Sequence, residues 1–258
     1  MWHLEWEQGL IRSIKYRNHL VGTRWGVETA DRGSFFSLDG GHGWVAKRRI
    51  DHTSSGIYRH ELEVRMAEGH WVLHTEVYPE GDVLVRHQRL VCLSRTWFQD
   101  FVCRFRFCKS LFQTAQIAGR HFAHRGTNRW YQYPVRIATL HGERLSLKVK
   151  VSDWYGAGKF NQEMYVRDEP GDAWIVHARL MPSMHDAYWI RWDTRLGRIL
   201  NVPDRVARPL LKVPIIKKNL WYRAERTGGR PNLQGQSLVC LEQGDELVME
   251  CRVYVSQD

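Results

Sequence analysis

The chain has 258 residues, 43% of them hydrophobic and 26% charged, enough for one large core and too polar for a membrane span. No run approaches the ~20 apolar residues that a transmembrane helix needs. The formal net charge of +10 raises nucleic-acid binding, but the basic residues are scattered singly, with dense clusters only at Lys47-Arg48-Arg49 and Lys217-Lys218. With no basic tail, zinc finger or nucleic-acid motif, nucleic acid is set aside as a partner. An arginine-rich face for anionic ligands fits the composition better.

The N-terminus, Met1-Trp2-His3-Leu4-Glu5-Trp6-Glu7, carries acids and no basic-then-apolar leader. A cytoplasmic location is therefore expected, with a processed secreted form as the alternative. The five cysteines, Cys92, Cys103, Cys108, Cys240 and Cys251, show no C-x-x-C spacing. They are expected to be small buried thiols in a reducing compartment.

Along the chain the dominant pattern is alternation with period two, the mark of half-buried strands. Phe101, Cys103, Phe105 and Phe107 alternate with Val102, Arg104 and Arg106. Leu145, Leu147, Val149 and Val151 alternate with Ser146, Lys148 and Lys150, and Leu247 to Val255 repeats the pattern. Pro79-Glu80-Gly81-Asp82, His141-Gly142-Glu143 and Gln243-Gly244-Asp245 predict hairpin turns between such runs. Gly40-Gly41-His42-Gly43 and Tyr155-Gly156-Ala157-Gly158-Lys159 read as loop turns. Between Asn201 and Pro214, three prolines predict an irregular crossing segment. No linker divides the chain, and no stretch sustains a helical period. The expectation is one all-β domain over residues 1–258, a large antiparallel β-sandwich or barrel with minimal helix.

Aromatic residues are the most unusual feature, with 12 tryptophans and 10 tyrosines. Several stand beside polar groups, as in Trp130-Tyr131-Gln132-Tyr133, Asp153-Trp154-Tyr155, Tyr188-Trp189-Ile190-Arg191-Trp192-Asp193 and Trp221-Tyr222-Arg223. An indole or phenol ring offers a flat apolar face and a hydrogen-bonding tip, which suits a sugar ring. Cross-strand packing of aromatic pairs accounts for the same clusters in structural terms.

The densest polar constellation runs from Arg120 to Tyr131. Here His121, His124 and Tyr131 are candidate acid–base residues, since histidine titrates near neutral pH. Arg120, Arg125 and Asn128 are candidate substrate-binding residues, joined by Trp130, Trp189, Arg191 and Trp192 as sugar platforms and partners for a carboxylate. A basic surface loop is the structural alternative. In an extended segment His121 and His124 point to opposite faces, so a turn is needed to bring both to one ligand. His121-x-x-His124, with His60, Glu61, His74 or His87, is the only hint of a metal site, and no closed zinc spacing supports it. No P-loop, G-x-G-x-x-G or G-x-S-x-G element is present, and no cofactor is expected.

The opening Glu7-Gln8-Gly9-Leu10-Ile11-Arg12-Ser13-Ile14, the long strands Val83 to Leu93 and Trp97 to Phe107, and the His124 to Tyr131 loop together resemble the galactose-mutarotase-like supersandwich proteins. The likeness covers the organisation of most of the chain. That family's His-x-Tyr-Phe-Asn-Leu element is absent, and its catalytic Glu matches no definable position here. The resemblance implies a sheet face that holds sugars through His, Arg and aromatic side chains.

The leading expectation is a carbohydrate-active protein that binds a saccharide, with an anionic one favoured by the arginines. His/Tyr acid–base chemistry of lyase, hydrolase or epimerase type would follow. Two alternatives are an isomerase or cyclase acting on a hydrophobic small molecule, and a non-catalytic glycan- or protein-binding module. The expected partner is thus a small molecule or an oligosaccharide, and the oligomeric state stays open.

Overall fold

A computed structural model describes residues 1–7, 10–31, 35–38, 45–54, 56–66, 69–127, 130–182, 220–223, 232–235 and 239–257. Every regular element among them is a strand. One sheet runs in the order β1 (Trp2–Glu7), β2 (Leu10–Tyr16), β3 (His19–Asp31), β9 (Thr96–Cys108), β16 (Ala173–Pro182), β15 (Phe160–Glu169) and β12 (Trp130–Tyr133). Short strands β4 (Phe35–Ser37) and β19 (Val239–Leu241) pair with β3 and β9.

The second sheet runs β11 (Arg120–Ala123), β10 (Thr114–Ile117), β13 (Ile137–His141), β14 (Leu145–Gly156), β20 (Glu246–Gln257), β8 (Val83–Cys92), β7 (His70–Glu80), β6 (Ile57–Arg65) and β5 (Val45–Ser54). A two-stranded ribbon joins β17 (Leu220–Arg223) to β18 (Asn232–Gly235). Among the described residues neither sheet closes on itself, so the sandwich alternative holds and the barrel does not.

Alternation explains the core. Trp25, Val27, Phe101, Phe105, Trp174 and Val176 from the first sheet meet Leu73, Leu84, Leu90, Leu147, Met249 and Val253 from the second, all buried. Aromatic rings interlock edge to face, with Trp25 on Phe105 at 4.7 Å and Phe36 on Trp71 at 5.2 Å. That geometry suits the ring quadrupoles. These tryptophans pack the interior and have no access to a ligand.

The expected turns are present. Pro79 to Asp82 joins β7 to β8, with Glu80 opposite Val83 and Gly81 at a φ of 61°. His141 to Glu143 leads from β13 to β14, and Gln243 to Asp245 leads into β20. The Tyr155 to Lys159 stretch turns between β14 and β15, with Ala157 and Gly158 both at positive φ. The segment Glu7 to Ile14 straddles the end of β1 and the start of β2. Residues 40–43 and 201–214 lie outside the described residues.

One irregularity matters for the site. Between Gly22 and Gly26 the β3–β9 register shifts, and Arg24 takes a φ of 53°. A bulge of this kind breaks ladder bonds and re-aims the side chains that follow it. The carbonyl oxygens it releases find side-chain donors. Trp25 Nε1 donates to Arg106 O at 3.2 Å, while Arg86, reaching from β8, donates to Arg104 O at 2.8 Å and Gly26 O at 2.6 Å. Glu28 follows directly on β3.

Candidate functional site

Strand β16 is buried on both faces from Ala173 to Leu180. Trp174, Val176, Ala178 and Leu180 enter the sandwich core. Ile175, His177 and Arg179 therefore lie on the outer face of the first sheet, which is covered as well. Strand pairing then sets out this outer face row by row. Arg104 stands opposite Gly26 and His177, and His177 opposite Tyr165, which in turn faces Gln132. In the next row Glu28 faces Val102, Val102 faces Arg179, and Arg179 faces Glu163. Charged groups cluster here because the bulge and the alternation of four strands turn them to one side.

Their contacts form a connected network. Tyr165 Oη lies 3.1 Å from His177 Nε2, and that nitrogen is 3.9 Å from a Glu28 oxygen. Arg104 Nε lies 3.5 Å from the other Glu28 oxygen. Arg179 Nη2 donates to Asp100 Oδ2 at 2.5 Å, and its guanidinium stacks over the Tyr165 ring. Arg106 closes one side, donating to Glu169 at 3.1 Å and to the Thr23 hydroxyl at 2.8 Å. Gln132 donates to Glu163.

Burial sets the electrostatics. Glu28 is 19% exposed, and desolvation pushes its carboxyl above the ordinary range despite the opposing pull of Arg104. A carboxyl raised in this way holds its proton to higher pH than a free one, which suits acid–base chemistry. Burial alone would lower the Arg179 pKa, but the Asp100 carboxylate, which it hydrogen-bonds, and the nearby Glu163 raise it.

The residues singled out from the sequence fall in several places. His121 lies on exposed β11 at the far edge of the second sheet, its ring 6.0 Å from that of His141. His124 is inside, its side chain 1% exposed. Its Nε2 meets Ala173 O at 2.8 Å, its Nδ1 lies 3.4 Å from Asp168, and its ring stands edge-on to Trp174. Tyr131 on β12 stacks on Phe122 at 3.5 Å against the core. Arg120 lies over Tyr133, and the Arg125 backbone N–H donates to Asp168.

The segment thus sends His121 outward and His124 and Tyr131 inward, and does not bring the three together. Its 125–127 turn wraps Asp168, which accepts bonds from the backbone of Arg125, Gly126 and Thr127 and from the Thr127 hydroxyl. Trp130 takes the register position opposite Arg167, in the row next to Tyr165. Asn128, Trp189, Arg191 and Trp192 lie outside the described residues.

Glu28, Asp100, His177 and Arg179 escaped the sequence reading, although a signal was present. In Ala173-Trp174-Ile175-Val176-His177-Ala178-Arg179-Leu180 two ionisable residues share one face of an otherwise apolar run. Such a run marks a strand buried on both faces, where a charge must have partners.

The outer face of the second sheet has a separate depression of about 340 Å³, lined by Arg59, Glu61, His74, Glu76, His87 and Arg89 among others. Its polar groups are paired strand to strand, with Arg59 to Glu76 at 2.7 Å, His74 to Glu61 at 3.1 Å, and Arg89 to Glu246. His60, Glu61, His74 and His87, weighed as metal ligands, all line it. Among the described residues no group of three His, Cys, Asp or Glu side chains is placed to hold a metal. Among them, too, no helix is long and apolar enough to cross a membrane.

No protein-family model matches the chain, and no curated protein matches its sequence. Solved structures do share its architecture. A galactose mutarotase related enzyme from Lactobacillus acidophilus superposes with a TM-score of 0.54 at 8% identity, over 99% of this chain and 97% of the other. The fold is that of the mutarotase-like supersandwich. A protein of Synechocystis sp. PCC 6803 gives a TM-score of 0.51 at 10% identity, over 96% of this chain and 89% of the other. At such identities the likeness is one of fold, and the chemistry has to be argued from this chain's own residues.

Proposed function

We propose that the chain binds a saccharide on the outer face of its first sheet and catalyses an epimerase-type reaction at the anomeric centre. The supporting observation is the covered Glu28–His177–Tyr165 network beside Arg104, on a fold shared with a galactose mutarotase related enzyme. This reading moves the acid–base roles from His121, His124 and Tyr131 to Glu28 and His177. It keeps arginine as the binding group and the Trp130 position at the rim.

Exchange of anomers needs two proton transfers. A base takes the proton of the anomeric hydroxyl while an acid gives one to the ring oxygen, and the bond between the anomeric carbon and the ring oxygen breaks. The open aldehyde rotates and recloses on its other face with the two roles reversed. A buried carboxyl and an imidazole can alternate as acid and base in this way. Tyr165 orients the imidazole through its hydroxyl, and Arg104 supports charge that develops on oxygen.

Polarimetry on freshly dissolved α-D-glucose, α-D-galactose and D-glucuronic acid tests this. The chain should speed the change in rotation over buffer for at least one sugar. Glu28→Gln and His177→Asn should each cost about 100-fold or more, the usual scale for losing general acid–base help. A rate equal to buffer with all three sugars, or full activity in both variants, overturns the assignment.

A further inference from the structure

Arg179 stands in the middle of this face with its side chain 2% exposed. One nitrogen, Nη2, is bonded to Asp100, and the flat face of the guanidinium rests on Tyr165 at 5.3 Å from the ring centroid. The other two nitrogens, Nε and Nη1, are buried and have no hydrogen-bond partner among the described residues. A guanidinium carries five N–H donors and no acceptor, so these nitrogens can be satisfied only by oxygen supplied from elsewhere. Buried donors left unmet are rare in folded proteins because they lose their bonds to water and gain nothing. The neighbours do not fill the gap: Tyr165 offers Arg179 its ring face, and Glu163 is engaged by Gln132.

Charge narrows the chemistry of the missing acceptor. Arg104, Arg106, Arg167 and Arg179 share this face with Glu28, Asp100, Glu163 and Glu169, a balanced set only if every carboxyl is ionised. Glu28 is the carboxyl that burial drives towards its neutral form. In the protonated form of Glu28 these eight groups carry one more positive than negative charge. A ligand group of single negative charge restores the balance, whereas a phosphate monoester, at about −1.5 to −2, overshoots it.

We propose that Arg179 reads a carboxylate on the ligand, so that the sugar is an acidic one of the uronate class. The assignment rests on the reading of this face as a saccharide site. Arg179 then binds through Nε and Nη1 while Asp100 holds Nη2 and fixes the plane of the guanidinium. A carboxylate seated there also adds negative charge near Glu28, which favours the protonated form of that residue.

Calorimetric titration of the full chain with D-glucuronate, D-glucose, D-glucose 6-phosphate and acetate tests the proposal. Glucuronate should bind about 10-fold tighter than glucose or more, the equivalent of one charge-assisted bond. In Arg179→Lys that preference should fall several-fold, because the point charge stays and the fork is lost. The double variant Arg179→Met with Asp100→Asn, which leaves no orphaned carboxylate, should bind both sugars equally.

Equal binding of glucose and glucuronate by the unaltered chain overturns the carboxylate assignment while leaving the saccharide reading intact. Tighter binding of the phosphate ester than of glucuronate also overturns it. Acetate binding that depends on Arg179, with no difference between sugars and acetate, keeps the anion site and removes the saccharide reading. No heat with any of the four compounds removes both.

Discussion

Arg86 Nη2 donates to the carbonyl oxygen of Gly26 at 2.6 Å, across the full thickness of the sandwich. The donor sits on the second sheet and the acceptor on the bulged strand of the first. The same guanidinium caps Arg104 O and rests on the ring of Phe105 at 5.1 Å. Burial lowers its pKa, and the charge is met by main-chain carbonyls, a ring face and the Gln88 amide oxygen, which accepts from Nη2 and Nε at 2.9 Å. The bulge that turns Glu28 towards His177 is therefore supported from behind.

Arg86→Met should lower unfolding stability by about 2–4 kcal/mol, since it strands two buried carbonyl oxygens. Relief of the buried charge works against this loss and keeps it below the sum of two full penalties. Urea denaturation followed by tryptophan fluorescence gives the number. A neutral or stabilising result would mean that Gly26 O and Arg104 O find other donors.

Glu28 makes stability depend on pH with a definite sign. Its folded pKa is raised by burial, so the native state holds this proton more tightly than the unfolded chain does. The associated stability is complete below the unfolded value, about 4.3, and is lost as pH rises through the folded value. Glu28→Gln removes that slope. Thermal melts in a buffer series from about pH 4 upward, starting near the unfolded value, should show the variant gaining on the parent as pH rises. A constant offset across the range would contradict the raised pKa.

The fold was legible because period two survives in almost every strand. Phe101 to Phe107 and Leu145 to Val151 gave their buried faces directly, and Pro79 to Asp82 gave its turn. The site was less legible because it depends on pairing between distant strands. Glu28 and His177 are 149 positions apart in the sequence, and only the β3–β9–β16 register brings them together. The cluster of polar residues from Arg120 to Tyr131 drew attention through local density alone. Density along the chain says little about a sheet, where neighbours in sequence face opposite ways. His124 illustrates the point: its polarity serves a buried contact with Ala173 O and Asp168.

Asp168 holds the turn that follows His124. Burial alone would raise its pKa, but hydrogen bonds from the Thr127 backbone and hydroxyl and from Gly126, with His124 nearby, hold it below the ordinary range. Here the sign is the reverse of that for Glu28. The stabilisation is present above the unfolded value, about 3.9, and is lost as pH falls through the folded value. Asp168→Asn should cost about 2–4 kcal/mol at pH 7. The gap between variant and parent should close as the solution is acidified towards pH ~2. Urea titrations across that range check it, and a gap that stays constant would show that the charge of Asp168 contributes nothing.

The thiols offer a test of the packing that needs no ligand. Cys92, Cys103 and Cys251 are buried, whereas Cys108 and Cys240 are half-buried, and all five are free. Burial pushes the Cys92 thiol up to about 12, and it raises Cys108 as well. The Cys103 and Cys251 side chains hydrogen-bond to one another beside Arg86, deep between the sheets. Thiols in such surroundings are inert because the attacking species is the thiolate and the reagent has no path to it. An anionic aromatic disulfide should therefore react with Cys240 first, drawn by the Arg95 guanidinium that lies 3.1 Å from its sulfur. Cys108 should follow slowly, and the remaining three should react only when denaturant is added. Cys240→Ser should remove the fast phase and leave the final count in guanidinium one lower. Reaction of more than two thiols in the native chain would show that the sandwich opens around Cys92 or the Cys103–Cys251 pair faster than its packing implies.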